Sequence, residues 1–234
     1  MSQQQSTLDA SAAPTVIVFD VNETLSDLSP LAARFVAVGQ PASACSLWFA
    51  SVLRDAFALA TAGESPTFAQ VARETMLHQL SRTELHRPLE ESVDHVMAGL
   101  EQLPVHADVV SGVSQLHDAG FRLVTLSNGA TSIAERLLTD AGIRDRFEHV
   151  LSVEQAGAWK PDARAYAYAA EQCGVEPSQM VLVAVHPWDV DGAARAGLRT
   201  VWVDRWEAHY PATFTAPTHT VPGIDALTDV LRGS

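Results

Sequence analysis

The stretch Thr15-Val-Ile-Val-Phe-Asp20-Val-Asn-Glu-Thr24-Leu decides the fold, because a short apolar run ends in a carboxylate and a polar loop. An apolar run of this length predicts a buried parallel strand. Ligands of open α/β sheets bind just beyond the carboxyl ends of such strands. Asp20 lies at that point with the hydroxyl of Thr24 four residues on, which makes it a candidate nucleophile. The alternative is an Asp20 that only caps the loop or the next helix.

Three later stretches repeat the order of apolar strand, polar cluster and helical pattern. They are Arg122–Leu126 before Ser127-Asn128, Val150–Ser152 before Trp159-Lys160-Pro161, and Met180–Val185 before His186-Pro187-Trp188-Asp189. Strands that alternate with helices predict an α/β fold with a Rossmann-like parallel sheet and helices on both faces. Because the carboxyl ends of parallel strands meet at one edge, we expect these polar clusters and Asp20 to share one site.

Composition and charge argue against several classes of protein. The chain has 234 residues, of which 47% are hydrophobic, and a formal net charge of −13. Such a charge disfavours a nucleic-acid surface, and no apolar run is long enough to span a membrane. Cys45 and Cys173 do not form a disulfide framework, and no secretory signal is recognisable. We therefore expect a cytoplasmic protein without nucleic-acid or membrane partners; the sequence leaves a homodimer open.

The pattern divides the chain into a tail, a core and an inserted segment. Residues 1–13 are rich in Ser, Gln and Ala without periodicity, which predicts a disordered tail. Residues 14–27 and 104–234 carry the strands and predict the core domain. Residues 28–103 lack strand patterns and show helical periodicity at Leu31–Val38, Cys45–Thr61, Phe68–Gln79 and Leu89–Leu100. We read this segment as a four-helix cap domain inserted after the first strand.

The succession of Asp20, Ser127-Asn128, Lys160 and Asp189 resembles the four motifs of the haloacid dehalogenase superfamily. In that superfamily the first Asp is a covalent nucleophile, and many members carry a cap at the same point. Most members resemble one another in a second Asp two residues after the nucleophile and in a further carboxylate that helps bind Mg²⁺. Here these positions are Asn22 and the region of His186, so a Mg²⁺-dependent phosphatase is only an alternative and we expect neither metal nor cofactor.

The chain more closely resembles the metal-free L-2-haloacid dehalogenase branch, whose Asp attacks the substrate carbon and forms an ester that water hydrolyses. The resemblance implies a catalytic role for Asp20, for Thr24 as the hydroxyl that orients it, and for Lys160 and Asp189. It also implies substrate-binding roles for a further set: Val21, Asn22, Ser127, Asn128, Tyr166 and Trp188. Trp48 and Phe49 are candidates for excluding water from the site; the alternative is that they only pack between helices.

The departures from this branch concern the leaving group. Glu23 stands where this branch has a glycine. Phe49 stands where the branch has an arginine that binds the departing halide. Arg54 lies five residues further along the chain. His186 is a candidate general base for ester hydrolysis or acid for an amine leaving group, or an inert loop residue.

The expected activity is hydrolysis at the α-carbon of a small 2-substituted carboxylic acid, first as a 2-haloacid dehalogenase. The alternative within the same site is opening of a strained cyclic amino acid such as azetidine-2-carboxylate.

Overall fold

The structure, a computed structural model, describes residues 15–232 of the chain. The tail predicted over residues 1–13 lies outside this range. The strands share a buried, mainly apolar character and are β1 (Val16–Phe19), β2 (Arg122–Ser127), β3 (Phe147–Ser152), β4 (Met180–Ala184), β5 (Arg199–Val203) and β6 (His219–Val221). Over the described residues they form one parallel sheet in the order β3-β2-β1-β4-β5-β6. The predicted α/β class is confirmed, and β6 lies at one edge of the sheet.

Helices connect the strands and cover the sheet. They are α1 (Leu31–Ala37), α2 (Ala44–Thr61), α3 (Phe68–Leu80), α4 (Leu89–Leu100), α5 (Val109–Asp118), α6 (Thr131–Asp140), α7 (Val153–Ala156), α8 (Ala163–Cys173), α9 (Pro187–Arg195) and α10 (Leu227–Arg232). Short 3₁₀ turns lie at Arg144–Arg146, Pro177–Gln179 and Ile224–Ala226. No helix within residues 15–232 is long and apolar enough to cross a membrane.

The alternation of side chains along β1 produces a core on each face of the sheet. Val16 and Val18 belong to a cluster with residues of α8 and α9, whereas Ile17 and Phe19 belong to a cluster with residues of α5, α6 and α10. Successive side chains of a strand point to opposite faces, so a fully apolar strand requires cover on both. β1 is thus fixed at the centre of the sheet, and the loop after it is held in place.

The helices α1 to α4 form a layer that packs onto the first of these clusters. The chain leaves and re-enters the sheet at one place, because the N–H of Asp27 donates to the carbonyl of Pro104 at 2.8 Å. The layer also contacts the start of the Lys160 loop: the indole of Trp159 donates to the carbonyl of Pro66 at 2.8 Å and stacks on Phe68. The domain boundary predicted at residues 28–103 stays a prediction.

The helix that follows β4, α9, begins at Pro187. Proline suits the first helical position, because its missing N–H would have no partner there and its fixed φ is helical. As a result Asp189 lies in the first turn of α9, whereas Asp191 lies in the second. Asp191 pairs with Arg195 at 2.8 Å on the helix surface.

Candidate active site

Asp20 lies at the carboxyl end of β1, between the ends of β2 and β4. These strands flank β1 although they come later in the chain, so the connections diverge to both sides of it. This is the switch point at which α/β sheets open a crevice for ligands. The N–H of Asp20 donates to the carbonyl of Val183 on β4 at 3.0 Å, which fixes the position of the loop.

The carboxylate of Asp20 is buried and contacted by three donors. The hydroxyl of Thr24 donates to Oδ2 at 2.7 Å, and the ammonium of Lys160 donates to Oδ1 at 2.9 Å. Nδ1 of His186 lies 3.1 Å from Oδ2. Thr24 is itself fixed, because its oxygen accepts the N–H of Val185 at 3.1 Å. The arrangement immobilises the carboxylate and sets its orientation.

Lys160 is the single lysine of the sequence, and it is fully buried. Its Nζ lies 2.6 Å from Oδ2 of Asp189, so the ammonium bridges Asp20 and Asp189. The hydroxyl of Tyr166 donates to Oδ1 of Asp189 at 2.6 Å. Lys160, Asp189 and Tyr166 therefore form one buried network around the nucleophile, in which every charge has an opposite charge or a donor.

The charges of this network fix its protonation. Burial raises the pKa of Asp20, but the charge of Lys160 and the hydrogen bond with His186 outweigh burial and hold that pKa well below its ordinary range. Burial lowers the pKa of Lys160, but the charges of Asp189 and Asp20 outweigh it and raise that pKa. Burial also raises the pKa of Asp189, against the charge of Lys160. Asp20 is thus a carboxylate, and Lys160 an ammonium, at neutral pH.

Ser127 and Asn128 lie at the end of β2, next to the same loop. The amide of Asn128 holds the backbone of Lys160: its Oδ1 accepts the Lys160 N–H at 2.9 Å, and its Nδ2 donates to the Lys160 carbonyl at 3.4 Å. The hydroxyl of Ser127 accepts the N–H of Gly129 at 2.9 Å. The structure therefore shows Asn128 positioning Lys160, while the substrate-binding roles predicted for this pair stay predictions.

His186 follows β4 and caps α9, with both ring nitrogens next to carboxylates. Nδ1 contacts Asp20, and Nε2 lies 2.9 Å from Oε2 of Glu23. Trp188 stacks on the imidazole, with ring centroids 5.1 Å apart. Burial lowers the pKa of His186, but the hydrogen bonds with Asp20 and Glu23 outweigh it and raise that pKa to about 9. The side chain is an imidazolium at neutral pH.

The aromatic residues predicted for the site separate into two groups. Phe49 on α2 lies against His186, with ring centroids 6.2 Å apart, and Trp188 packs edge-on against Phe57. Trp48 points into the helical layer, where its indole donates to the carbonyl of Ala72 at 3.0 Å. Arg54 is exposed and pairs with Asp55 at 2.7 Å. Phe49 and Trp188 thus form an aromatic wall beside His186, whereas Trp48 packs between helices.

A cavity of ≈ 320 Å³ lies between the helical layer and the loop after β1. Val21, Asn22 and Ser127 border it on the side of the sheet, and Phe68 and Met97 are among its apolar walls. The cavity therefore combines polar groups next to the nucleophile loop with an apolar interior. Such a combination is typical of sites for small organic ligands.

Two residues of this region had no role in the sequence-based prediction. Glu23 contacts His186, and the only signal for it was that it replaces a glycine. Arg205 donates from Nη2 to the carbonyl of Thr24 at 2.8 Å and from Nη1 to Asp108 at 2.8 Å, which anchors the nucleophile loop. Arg205 follows β5, so nothing in its local sequence indicates a contact with a loop 181 residues away.

The positive charge at the centre of the site is the ammonium of Lys160. Among the residues that the structure describes, no group of three or more His, Cys, Asp or Glu is arranged to hold a metal ion. The ammonium of Lys160 occupies the position between Asp20 and Asp189, so these carboxylates are already bridged by a positive charge.

Two known dehalogenases are similar to this chain over most of its length. Haloacetate dehalogenase H-2 of Moraxella sp. (strain B) is 27% identical over 217 residues, which are 92% of this chain and 96% of that protein. An (S)-2-haloacid dehalogenase of Pseudomonas putida is 25% identical over 226 residues, 93% of this chain and 96% of that protein.

The fold and the family are shared as well. The L-2-haloacid dehalogenase of Xanthobacter autotrophicus with chloropropionic acid covalently bound has the same fold, with a TM-score of 0.85 and 24% identity over 94% of this chain and 99% of that chain. Residues 14–197 match the family described as haloacid dehalogenase-like hydrolases. With Asp20, Lys160 and Asp189 joined as the motifs predicted, the chain belongs to the haloacid dehalogenase-like hydrolases.

Proposed function

We propose that this protein hydrolyses the carbon–halogen bond of a small 2-haloacid through an ester on Asp20. The observation that carries the proposal is the Asp20 carboxylate, which is ionised, buried and fixed by Thr24, Lys160 and His186. A carboxylate held in this way can attack a carbon atom, since it has lost most of its water and keeps its charge. The names of the relatives support the halide as leaving group and the S enantiomer as substrate.

The reaction has two steps. Asp20 attacks the α-carbon, the halide leaves, and an alkyl ester of Asp20 forms. A water molecule then attacks the carbonyl carbon of that ester, which releases the 2-hydroxyacid and restores the carboxylate. Lys160 keeps its positive charge throughout and stabilises the negative charge that develops on the ester carbonyl during hydrolysis.

The substrate carboxylate and carbon skeleton have separate places in this proposal. Ser127 lines the cavity, and in this proposal its hydroxyl and the backbone N–H groups at the start of α6 bind the carboxylate. Its apolar walls, such as Phe68 and Met97, receive the carbon skeleton, while Phe49, Trp188 and Tyr166 exclude water from the reacting atoms. Val21 and Asn22 border the space between them.

Opening of a strained cyclic amino acid is the second candidate, and His186 favours it. A leaving amine needs a proton, and an imidazolium 3.1 Å from the nucleophile is placed to deliver one. Phe49 on α2 also lies where the dehalogenase branch has its halide-binding arginine. The same Asp20 ester would form, so the two candidates differ in the atom that leaves and in the role of His186.

The reaction is metal-independent in this proposal, because Lys160 supplies the charge between the carboxylates. The proposal locates the protein in the reducing cytoplasm, and the buried free thiols of Cys45 and Cys173 support this location. The substrate partner is a small carboxylic acid. A homodimer stays open.

A substrate panel tests the proposal. It contains both enantiomers of 2-chloropropionate, chloroacetate, azetidine-2-carboxylate and a phosphate monoester, each assayed with EDTA and with added Mg²⁺. We expect halide from the S enantiomer, unchanged by EDTA. Ring-opened amino acid without halide would select the second candidate. Phosphate release that depends on Mg²⁺ would overturn both.

A further inference from the structure

Glu23 adopts a backbone conformation that side chains other than glycine rarely take. Its φ is +60°, in the left-handed region, which costs on the order of 1 kcal/mol for a residue with a Cβ atom. Two contacts hold it there: its N–H donates to Oγ of Ser26 at 3.3 Å, and its carbonyl oxygen lies 3.0 Å from Nε2 of His106. This conformation places the Glu23 carboxylate against His186.

The imidazole of His186 lies between two carboxylates. Nδ1 faces Asp20 at 3.1 Å, and Nε2 faces Glu23 at 2.9 Å. A carboxylate oxygen only accepts hydrogen bonds, so both ring nitrogens donate and the ring carries a positive charge. The other charged group at Asp20 is Lys160, on the opposite oxygen, and Phe49 and Trp188 cover the ring without any charge.

Glu23 connects this buried imidazolium to open space. The side chain of Asp20 is 5% exposed and that of His186 is 12% exposed, whereas that of Glu23 is 30% exposed. Glu23 borders a second cavity of ≈ 410 Å³, the outer cavity, which Asp27 and Cys45 also line. Burial and the charge of Glu23 raise the pKa of the Cys45 thiol to about 11, so that thiol stays neutral.

We propose that Glu23 is a positioning residue that keeps His186 protonated while Asp20 is free and passes that proton to the outer cavity once Asp20 is esterified. The proposal rests on the proposed aspartyl ester. Esterification removes the negative charge of Asp20, so one of the two carboxylates that hold the proton on His186 is lost. The imidazolium then becomes a stronger acid, and Glu23 is the acceptor in contact with it.

The protons balance over the cycle. Asp20 displaces the halide, and His186 then loses the proton on Nε2 through Glu23 to water in the outer cavity. A water molecule in the site accepts the Nδ1 proton while Nε2 regains a proton from the outer cavity through Glu23, so the neutral ring carries its hydrogen on Nε2 and Nδ1 is free to accept a proton from the attacking water. When the tetrahedral intermediate collapses, that proton goes to the departing hydroxyl oxygen of the product. The new Asp20 carboxyl gives its own proton to His186, so one H⁺ and one halide leave per turnover.

The test compares Glu23→Gln with a matched variant, Asp27→Asn, which removes one negative charge from the same cavity. Asp27 contacts only Ser29 through its side chain among the described hydrogen bonds, and it has no part in the site. Single-turnover mixing with (S)-2-chloropropionate separates halide release from ester hydrolysis, and intact-protein mass spectrometry detects the ester. Glu23→Gly, which suits the left-handed φ, removes the carboxylate without strain and serves if Glu23→Gln folds poorly.

We expect Glu23→Gln to release halide at the wild-type rate and to hydrolyse its ester about tenfold more slowly or worse, with ester accumulating. Asp27→Asn should match the wild type in both steps. NMR titration of His186, identified by loss of its signal in His186→Asn, should show a lower pKa in Glu23→Gln and an unchanged pKa in Asp27→Asn. If Glu23 only stabilised the fold, its replacement would not change both the pKa of His186 and the rate of ester hydrolysis.

Contrary results distinguish the two proposals. Normal ester formation with unchanged hydrolysis in Glu23→Gln would overturn the role of Glu23 alone, as would an unchanged His186 titration. Equal slowing by Asp27→Asn would also overturn it, because any nearby charge would then suffice. A wild-type enzyme that forms no ester from any 2-haloacid would overturn the proposed function together with this hydrolytic role.

Discussion

The two oxygens of the Asp20 carboxylate face two different environments. On the Lys160 side, formed by Lys160, Asp189 and Tyr166, every side chain is buried, and the hydrogen bonds that join these side chains to one another and to Asp20 are between 2.6 and 2.9 Å. On the His186 side, formed by His186 and Glu23, the contacts are 2.9 and 3.1 Å and the outer carboxylate borders a cavity. One side therefore holds the nucleophile in a fixed state, and the other side is able to exchange protons with water.

The difference follows from how each side is covered. Lys160 is fully buried, its neighbour Trp159 contacts the helical layer and Asn128 binds its backbone, so water does not compete for the hydrogen bonds of its ammonium. Electrostatic attraction is strong in such an environment, and a change of protonation there is costly. His186 caps a helix at the rim of the sheet, where Glu23 gives it a route to the solvent. A site that performs substitution and then hydrolysis needs both properties.

Replacement of Asp20, whose carboxylate both sides contact, should have the largest effect on turnover. Asp20→Asn is nearly isosteric but cannot attack carbon, so we expect turnover to fall on the order of 10⁴-fold or more while the fold is retained. Halide release and circular dichroism measure the two quantities, with Asp27→Asn as the matched surface variant. In ¹⁸O water a single wild-type turnover should place label in the enzyme; label that appears only in the product contradicts the ester.

The Lys160 side should be the one that stabilises the fold. Lys160→Met removes the charge between Asp20 and Asp189, and breaking such a buried pair costs about 3–5 kcal/mol. We also expect activity to fall on the order of a thousandfold, since the ester carbonyl loses its cation. Urea unfolding gives the free energy, with Arg195→Met as the control for an exposed ion pair. A Lys160→Met protein as stable as the control would show that the pair is only catalytic.

A substitution on the His186 side should slow one step of the reaction rather than both. His186→Asn keeps a polar side chain at the end of β4 but removes the titrating group, so the rate should fall roughly a hundredfold. With halide as the leaving group, the ester should form and persist, which intact-protein mass spectrometry detects. With an amine as the leaving group, the variant should stall before any ester forms. A wild-type rate without accumulated ester would leave His186 as an inert loop residue.

The sequence predicted the Lys160 side better than the His186 side, for a physical reason. Apolar runs fix the strands, and parallel strands collect the residues that follow them, so Asp20, Lys160 and Asp189 were expected together. The pairing of Glu23 with His186 depends on a left-handed backbone at Glu23, which no periodicity reveals. Arg205 shows the same limit, because its contact with the Thr24 carbonyl arises from the docking of distant loops.

The pH dependence of stability gives the smallest expected effect and the most direct measure of the His186 side. The pKa of His186 is raised from 6.5 to about 9 in the folded protein, so the protonated ring favours the folded state. This contribution is complete below about pH 6.5 and is lost as the pH rises through about 9. Between these values the free energy of unfolding should fall by at most about 1.4 kcal/mol per pH unit from this group.

Urea unfolding from pH 6 to 9 should show that slope in the wild type and a flatter one in His186→Asn; Glu23→Gln should lie between them, since Asp20 still holds Nδ1. Equal slopes in the three proteins would mean that the ring is not charged between its two carboxylates, and the contrast between the two sides of Asp20 would then be one of exposure alone.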